Sequence, residues 1–401
     1  MTIKKAIGKI HLWLGLTSGL VVFIVAITGC LYAFQEELQE LTQSYRHVVK
    51  QELPLLPPSE LEAIAKKELP GKKLHSALYQ KGGDRAAVVS FYDFDPLYYY
   101  LVYINPYDGE VLKVKNMSHD FFYQVLQGHF YLWLPATIGQ PVVATSTLIF
   151  VIMLITGLVL WWPKKNKAKQ RFSVKWSAKW RRKNYDLHNV LGFYTTWIAL
   201  ILALTGLVWG FEWFANSVYK IAGGDKILFE EQASFKVSYD IVLNPLDKLW
   251  IKLKNENPDV DIIEVHFPTS DTLSLAVTIN PDRKTYWKAD YRFFDQYTLA
   301  EIPSKQIYGK FSEASAADKL IRMNYDIHTG AILGLPGKIL AFFASLICAS
   351  LPVTGFYIWY GRKYKKKAKM KSAPQVISNP RTVASKSPFR AVETEVEEIR
   401  K

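Results

Sequence analysis

Cysteine is almost missing: the 401-residue chain has two, Cys30 and Cys348, and both lie inside long apolar runs. Disulfides staple small secreted folds that cannot build enough core. No such framework exists here, so any folded part must rely on its own core or on a neighbour. Acidic residues are missing from three short stretches, 1–10, 163–183 and 361–371, which hold 3, 10 and 7 Lys or Arg. Those stretches carry the formal charge of +14, since the remainder has 30 basic against 36 acidic residues. A nucleic-acid partner is thereby excluded, because the positive charge is not spread over a folded binding face. Also missing is a glycine-rich loop between a strand and a helix, the fingerprint of a bound dinucleotide, and no flavin domain is evident.

Long uncharged apolar runs are abundant by contrast. Four of them, 12–34, 142–162, 190–211 and 339–360, are 21 to 23 residues long. About 20 apolar residues cross a bilayer as a helix. Lipid admits only helices and closed barrels, and these runs lack the period-two alternation of barrel strands. The expected fold is an α-helical membrane protein with four transmembrane helices. Short basic loops beside spans mark the cytoplasmic side, so both termini and the central loop are expected there. Residues 35–128 and 215–327 then lie outside as two domains.

The chain accordingly divides into 1–34 (first span), 35–128 (first outer domain), 129–162 (interfacial segment and second span) and 163–187 (basic loop). The second half follows as 188–214 (third span), 215–327 (second outer domain), 328–360 (interfacial segment and fourth span) and 361–401 (a basic, then disordered tail). Ile27-Thr28-Gly29-Cys30 also reads as a lipoprotein signal with an acylated cysteine. But Thr-Gly recurs near the far end of every other run, at Thr156-Gly157, Thr205-Gly206 and Thr354-Gly355. A feature common to four helices argues for packing, not for processing of one.

That recurrence belongs to an internal duplication. His11 precedes Gly29 by 18 residues, as His188 precedes Gly206, and each histidine is followed four residues later by Gly15 or Gly192. His129 leads through Leu134-Pro135 to Thr156-Gly157, and His328 through Leu335-Pro336 to Thr354-Gly355. Two tandem units of span, outer domain and span are expected. Each outer segment reads as α+β. A helical stretch at 59–69 precedes strands at 86–91 and 98–104 and an Asn105–Val111 turn containing Asp108-Gly109. A helical stretch at 246–255 precedes strands at 262–267 and 273–279 and a turn at 295–299 that lacks the glycine.

The turn at 105–111 resembles that of PepSY domains. Tyr185-Asp186-Leu187-His188-Asn189-Val190-Leu191-Gly192, with Asp326-Ile327-His328-Thr329-Gly330 and Gly334-Leu335-Pro336-Gly337, is similar to the PepSY-associated transmembrane family. The resemblance extends to about residue 362. That family includes iron-regulated inner-membrane proteins and ferric-siderophore reductases, which implies a bacterial inner membrane with the outer domains in the periplasm. It implies haem b carried by the membrane helices, with histidines that map onto His11, His129, His188 and His328.

Bis-histidine ligation needs two imidazoles at one depth from different helices, with room for the porphyrin. The expected topology puts His11 and His188 near the inner face and His129 and His328 near the outer face, which makes two haems. At 1.5 Å per residue, 18 residues carry Gly29 and Gly206 roughly 27 Å beyond their histidines, to the outer pair. Gly157 and Gly355 descend to the inner pair, and the four glycines are expected to make room for the cofactor. Interfacial histidines also occur as ordinary polar helix ends, and Thr-Gly also serves packing alone. Four in matched pairs favour ligation.

His119 is a possible substitute or proton carrier, and His47, His75 and His266 read as solvated or structural. Trp161, Trp162, Trp209, Trp213 and Trp359 read as interfacial anchors. Of Tyr98, Tyr99, Tyr100 and Tyr103, at most half can line a ligand surface.

The expected function is electron transfer across the membrane to a ferric siderophore or other ferric chelate, releasing ferrous iron. The donor is an external cytoplasmic reductase or a membrane quinol, and no side chain is singled out as catalytic. The alternative is a non-enzymatic membrane-anchored module that binds a peptide, a peptidase or a transporter.

Overall fold

The computed structural model describes residues 2–162, 171–228, 230–234 and 244–371. In chain order the helices are α1 (Ile3–Tyr32), α2 (Gln35–Thr42), α3 (Pro58–Glu68), α4 (Phe121–Tyr131), α5 (Ala136–Trp161), α6 (Trp180–Gly210), α7 (Glu212–Ile221), α8 (Pro245–Glu256), α9 (Ala316–Arg322), α10 (Asn324–Thr329) and α11 (Gly334–Lys371). The strands are β1 (Leu74–Gln80), β2 (Ala87–Phe94), β3 (Leu97–Ile104), β4 (Val111–Asn116), β5 (Ile262–His266), β6 (Leu275–Asn280), β7 (Asp290–Phe294) and β8 (Glu301–Ile302). Met1–Trp359 forms one compact unit, and Tyr360–Lys401 forms another. The expected disordered tail past Lys371 and residues 163–170 of the basic loop fall outside the described residues.

Helices α1, α5, α6 and α11 are long and apolar enough to cross a bilayer, so this is a membrane protein. They extend past the apolar runs. His11 and His188 lie inside α1 and α6, not at their openings. The reason is that Lys and Arg are good helix formers, so hydropathy marks the lipid-facing stretch while the hydrogen-bond ladder continues through the basic flank. The residues buried between helices are mostly small: Ser18, Gly19 and Thr28 on α1, Ala144 and Ser146 on α5, Ala199 and Ala203 on α6. Small side chains let backbones approach closely, the main source of helix association in lipid.

The two outer segments are not separate domains. They form one antiparallel eight-stranded sheet in the order β4-β3-β2-β1-β5-β6-β7-β8. The join is β1 against β5, in register from Ser76↔His266 to Gln80↔Ile262. A sheet edge presents unpaired N–H and C=O groups, and here each four-stranded half closes the other's edge. Helices α3 and α8 cover one face, with Leu61, Ala65, Leu249 and Leu253 packing on Ala77, Val89, Val265 and Val277. The helices also meet each other, since Ser59 donates its N–H (2.9 Å) and hydroxyl (2.5 Å) to the Asp247 carboxylate.

The strand order reads alike from either edge, and the two turns correspond. The Asn105 N–H donates to the Glu110 carbonyl and Gly109 N–H to that of Asn105; Asp295 to Ala300 and Leu299 to Asp295 repeat the pattern. Gly109 has φ +80° and Leu299 φ +56°. The second turn thus keeps the left-handed position without the glycine that would adopt it freely.

Candidate functional site

Each of the four histidines is seated against a Thr-Gly pair on another helix. His11 Nδ1 lies 2.9 Å from Thr156 Oγ1, His188 Nδ1 2.9 Å from Thr354 Oγ1 and His328 Nδ1 2.9 Å from Thr205 Oγ1. His129 Nδ1 lies 3.2 Å from Thr28 Oγ1 and 2.9 Å from the Val25 carbonyl. Each threonine hydroxyl donates back to its own helix, to the carbonyls of Ile24, Ile152, Ile201 and Ser350. A hydroxyl whose single proton is so committed can only accept, so Nδ1 carries the hydrogen. This is the arrangement that orients a metal-binding imidazole and raises its basicity.

The glycines complete the seat. A Cβ on Gly29, Gly157, Gly206 or Gly355 would lie 3.3, 3.4, 3.4 and 3.3 Å from Cε1 of His129, His11, His328 and His188 respectively. Gly29 and Gly355 therefore give their room to an imidazole, and at Gly157 and Gly206 a Cβ would just touch one while a larger side chain would not fit. Sequence reasoning assigned that room to the cofactor and read the threonine only as packing. It also missed Asn184 and Asn324, whose side-chain amides donate to the carbonyls of Thr354 (3.0 Å) and Thr205 (3.1 Å), the residues that receive His188 and His328. The signal was available: Asn-Tyr-Asp-X-His occurs at 184–188 and again at 324–328. The Asp326 carboxylate between them accepts the N–H groups of Tyr286 and Trp287, tying the short helix α10 to the sheet domain.

His129 and His328 come together. Their ring centroids are 6.1 Å apart, one from α4 and one from α10. With metal–imidazole bonds of about 2 Å, two imidazoles on opposite sides of one ion have centroids roughly 6 Å apart. Both short helices end in left-handed residues, Leu132 and Gly330, before α5 and α11 begin. A side chain on Gly330 would strike the backbone at Gly337, so the corner is closed by glycine against glycine. Pro135 caps α5, and Pro336 falls in the first turn of α11, where its missing N–H has no partner to lose.

The pair opens on a cavity of about 1070 Å³ bounded by the sheet-side ends of the helices and by the sheet. Val25, Phe150, Ala199, Leu202 and Ser345 surround the histidines within it. Trp209, expected as an anchor, lies 5.3 Å from the His328 ring, and Trp161 stacks on Phe193 at 3.8 Å. His119 is exposed on the turn before α4. The His75 and His266 rings meet at 5.3 Å beside the β1–β5 join.

Among the described residues no three His, Cys, Asp or Glu side chains gather as a metal site. A cage built wholly by protein needs about four ligands, whereas iron in a porphyrin needs only two axial ones. The His129–His328 pair fits the second case, with helix-borne apolar walls suited to a flat macrocycle. No curated protein matches this chain. The model of the PepSY-associated TM region matches residues 9–362, and the chain belongs to that family.

Proposed function

We propose that this is an inner-membrane haem b protein that carries electrons outward and reduces a ferric chelate, such as a ferric siderophore, on the side of the sheet. The observation that carries the reading is the His129–His328 pair at 6.1 Å, with each Nδ1 held from behind. His129 and His328 would hold the outer haem, and His11 and His188 the inner one. Bound haem supplies one-electron chemistry. The protein's part is to fix each imidazole's tautomer and angle through a threonine, and to exclude water with the apolar residues of the helices.

The matching seats support two tandem units, in each of which a histidine on the first span rests on the Thr-Gly of the second and a histidine on the short helix before the second span rests on the Thr-Gly of the first. The basic stretches support cytoplasmic termini and a periplasmic sheet domain. The donor is a membrane quinol or a cytoplasmic reductase. Reduction to the ferrous ion, a softer acid, weakens its bonds to hard oxygen ligands and frees it from the chelate.

A pyridine haemochrome assay on purified protein tests this, with about two haems per chain expected from two bis-histidine pairs. A ratio near one would leave a single pair. A ratio near zero would overturn the proposal in favour of a membrane-anchored binding module.

A further inference from the structure

The cavity beside the outer histidines is larger than their immediate surroundings, and its upper part is made by the sheet. Alternate residues of a strand face opposite ways. Ser76, Leu78, Val88, Ser90, Tyr99 and Leu101 therefore look into the cavity, away from α3 and α8. Tyr98 and Tyr100 pack on the other face, against the helix-covered core.

Below the sheet, Tyr32, Trp209, Tyr325 and Lys338 border the same continuous space. Seven tyrosines line it in all, presenting flat apolar faces with hydroxyl tips. Its volume of about 1070 Å³ includes the space beside His129 and His328, so a chelate would take the part under the sheet.

Its charges largely cancel. Five basic and four acidic residues line it. Lys115 pairs with Asp120 at 2.7 Å, Arg46 with Glu40 at 3.4 Å, and Lys338 with Glu36 at 3.8 Å and Glu37 at 2.7 Å. A multiply charged anion brought here would lose its water without a matching excess of cations, a penalty that an uncharged molecule does not meet.

We infer that this chamber is a binding site for an uncharged, oxygen-rich metal chelate, held between the sheet's tyrosines and the outer histidine pair. The inference rests on the reductase reading and names the class of acceptor. It is a statement about binding, independent of any electron-transfer step.

The test uses the full-length protein in detergent with its haem content measured first. The probes are gallium(III) tris-hydroxamate, which is uncharged, and gallium(III) tris-catecholate, a trianion. Neither is reduced, so fluorescence quenching or calorimetry reads binding alone. The uncharged probe should bind saturably, about tenfold or more tighter than the trianion. Leu78→Trp or Leu101→Trp, which fill the chamber from the sheet, should weaken it by about tenfold or more with haem content retained. Because a wall variant can misfold, Glu264→Lys provides a gain: an uncompensated cation in the chamber should strengthen trianion binding while the uncharged probe is little affected.

A haem-loaded protein that binds neither probe, or prefers the trianion, overturns the chamber assignment and leaves the reductase reading standing. Binding of the uncharged probe by a protein without haem supports the chamber and overturns the reductase reading.

Discussion

Replacing Thr205 by valine tests what holds His328 in place. The hydroxyl lies 2.9 Å from His328 Nδ1 and gives its own proton to the Ile201 carbonyl at 2.7 Å, so it acts on the imidazole only as an acceptor. Valine preserves the shape and removes that acceptor. A buried N–H left without a partner costs about 1–3 kcal/mol. The Leu202 carbonyl is a second acceptor for the same imidazole, which puts the loss near the lower end, about 1 kcal/mol or roughly fivefold in affinity for the group that His328 binds. The imidazole also becomes a weaker donor, which disfavours the ferric state. The midpoint potential of the proposed outer haem should therefore rise, by no more than about 60 mV for a tenfold effect on a one-electron couple. Redox titration of the purified variant, with haem quantified, reads both effects. Thr205→Ser should restore wild-type values, because serine supplies the same acceptor. Unchanged potential and haem content in Thr205→Val, or no rescue by serine, would refute the seat.

Three further outcomes are expected. Gly206→Ala should be tolerated, because a Cβ there meets His328 Cε1 at an ordinary 3.4 Å, whereas Gly206→Leu should displace the imidazole and disturb the outer haem spectrum; disturbance confined to the inner haem would contradict the assignment. A reporter active only outside the cytoplasm should work when fused near Gly83 or Asp271 and fail near Lys167, and the reverse pattern would invert the topology. Glu301 takes a forked pair of hydrogen bonds from Arg292 (2.9 and 2.8 Å) and a third contact from Lys310 (2.9 Å), which push its carboxyl down to about 2. A depressed carboxylate stabilises the fold above its ordinary value of about 4.3 and loses that contribution as pH falls towards about 2. Glu301→Gln should therefore melt earlier than wild type at neutral pH, with the gap closing on acidification; a pH-independent gap would show that the charge is not responsible.

Much of this protein is determined by its sequence directly. The four runs of lipid-spanning length can be read without tertiary information, because in a bilayer hydropathy and backbone satisfaction decide structure locally. The histidines and the Thr-Gly pairs stand out for a related reason, since polar and small residues are conspicuous against an apolar background. The alternation in β3 likewise separates Tyr99 and Tyr103 from Tyr98 and Tyr100.

What the sequence does not contain is which surfaces meet. The β1–β5 join pairs Ser76 with His266, 190 positions apart, through backbone groups that every residue has, so no side chain announces that two expected domains are one sheet. The helix ends escaped for a different reason, as lysine and arginine end an apolar run without ending a helix. The seat of each imidazole was hidden similarly: a threonine beside a glycine serves packing in most membrane helices, and only the approach of His11 to Thr156, or of His328 to Thr205, makes it an acceptor. The chamber depends wholly on tertiary structure, because its walls come from strands and helices distant in the chain and only their closure against one another creates the space.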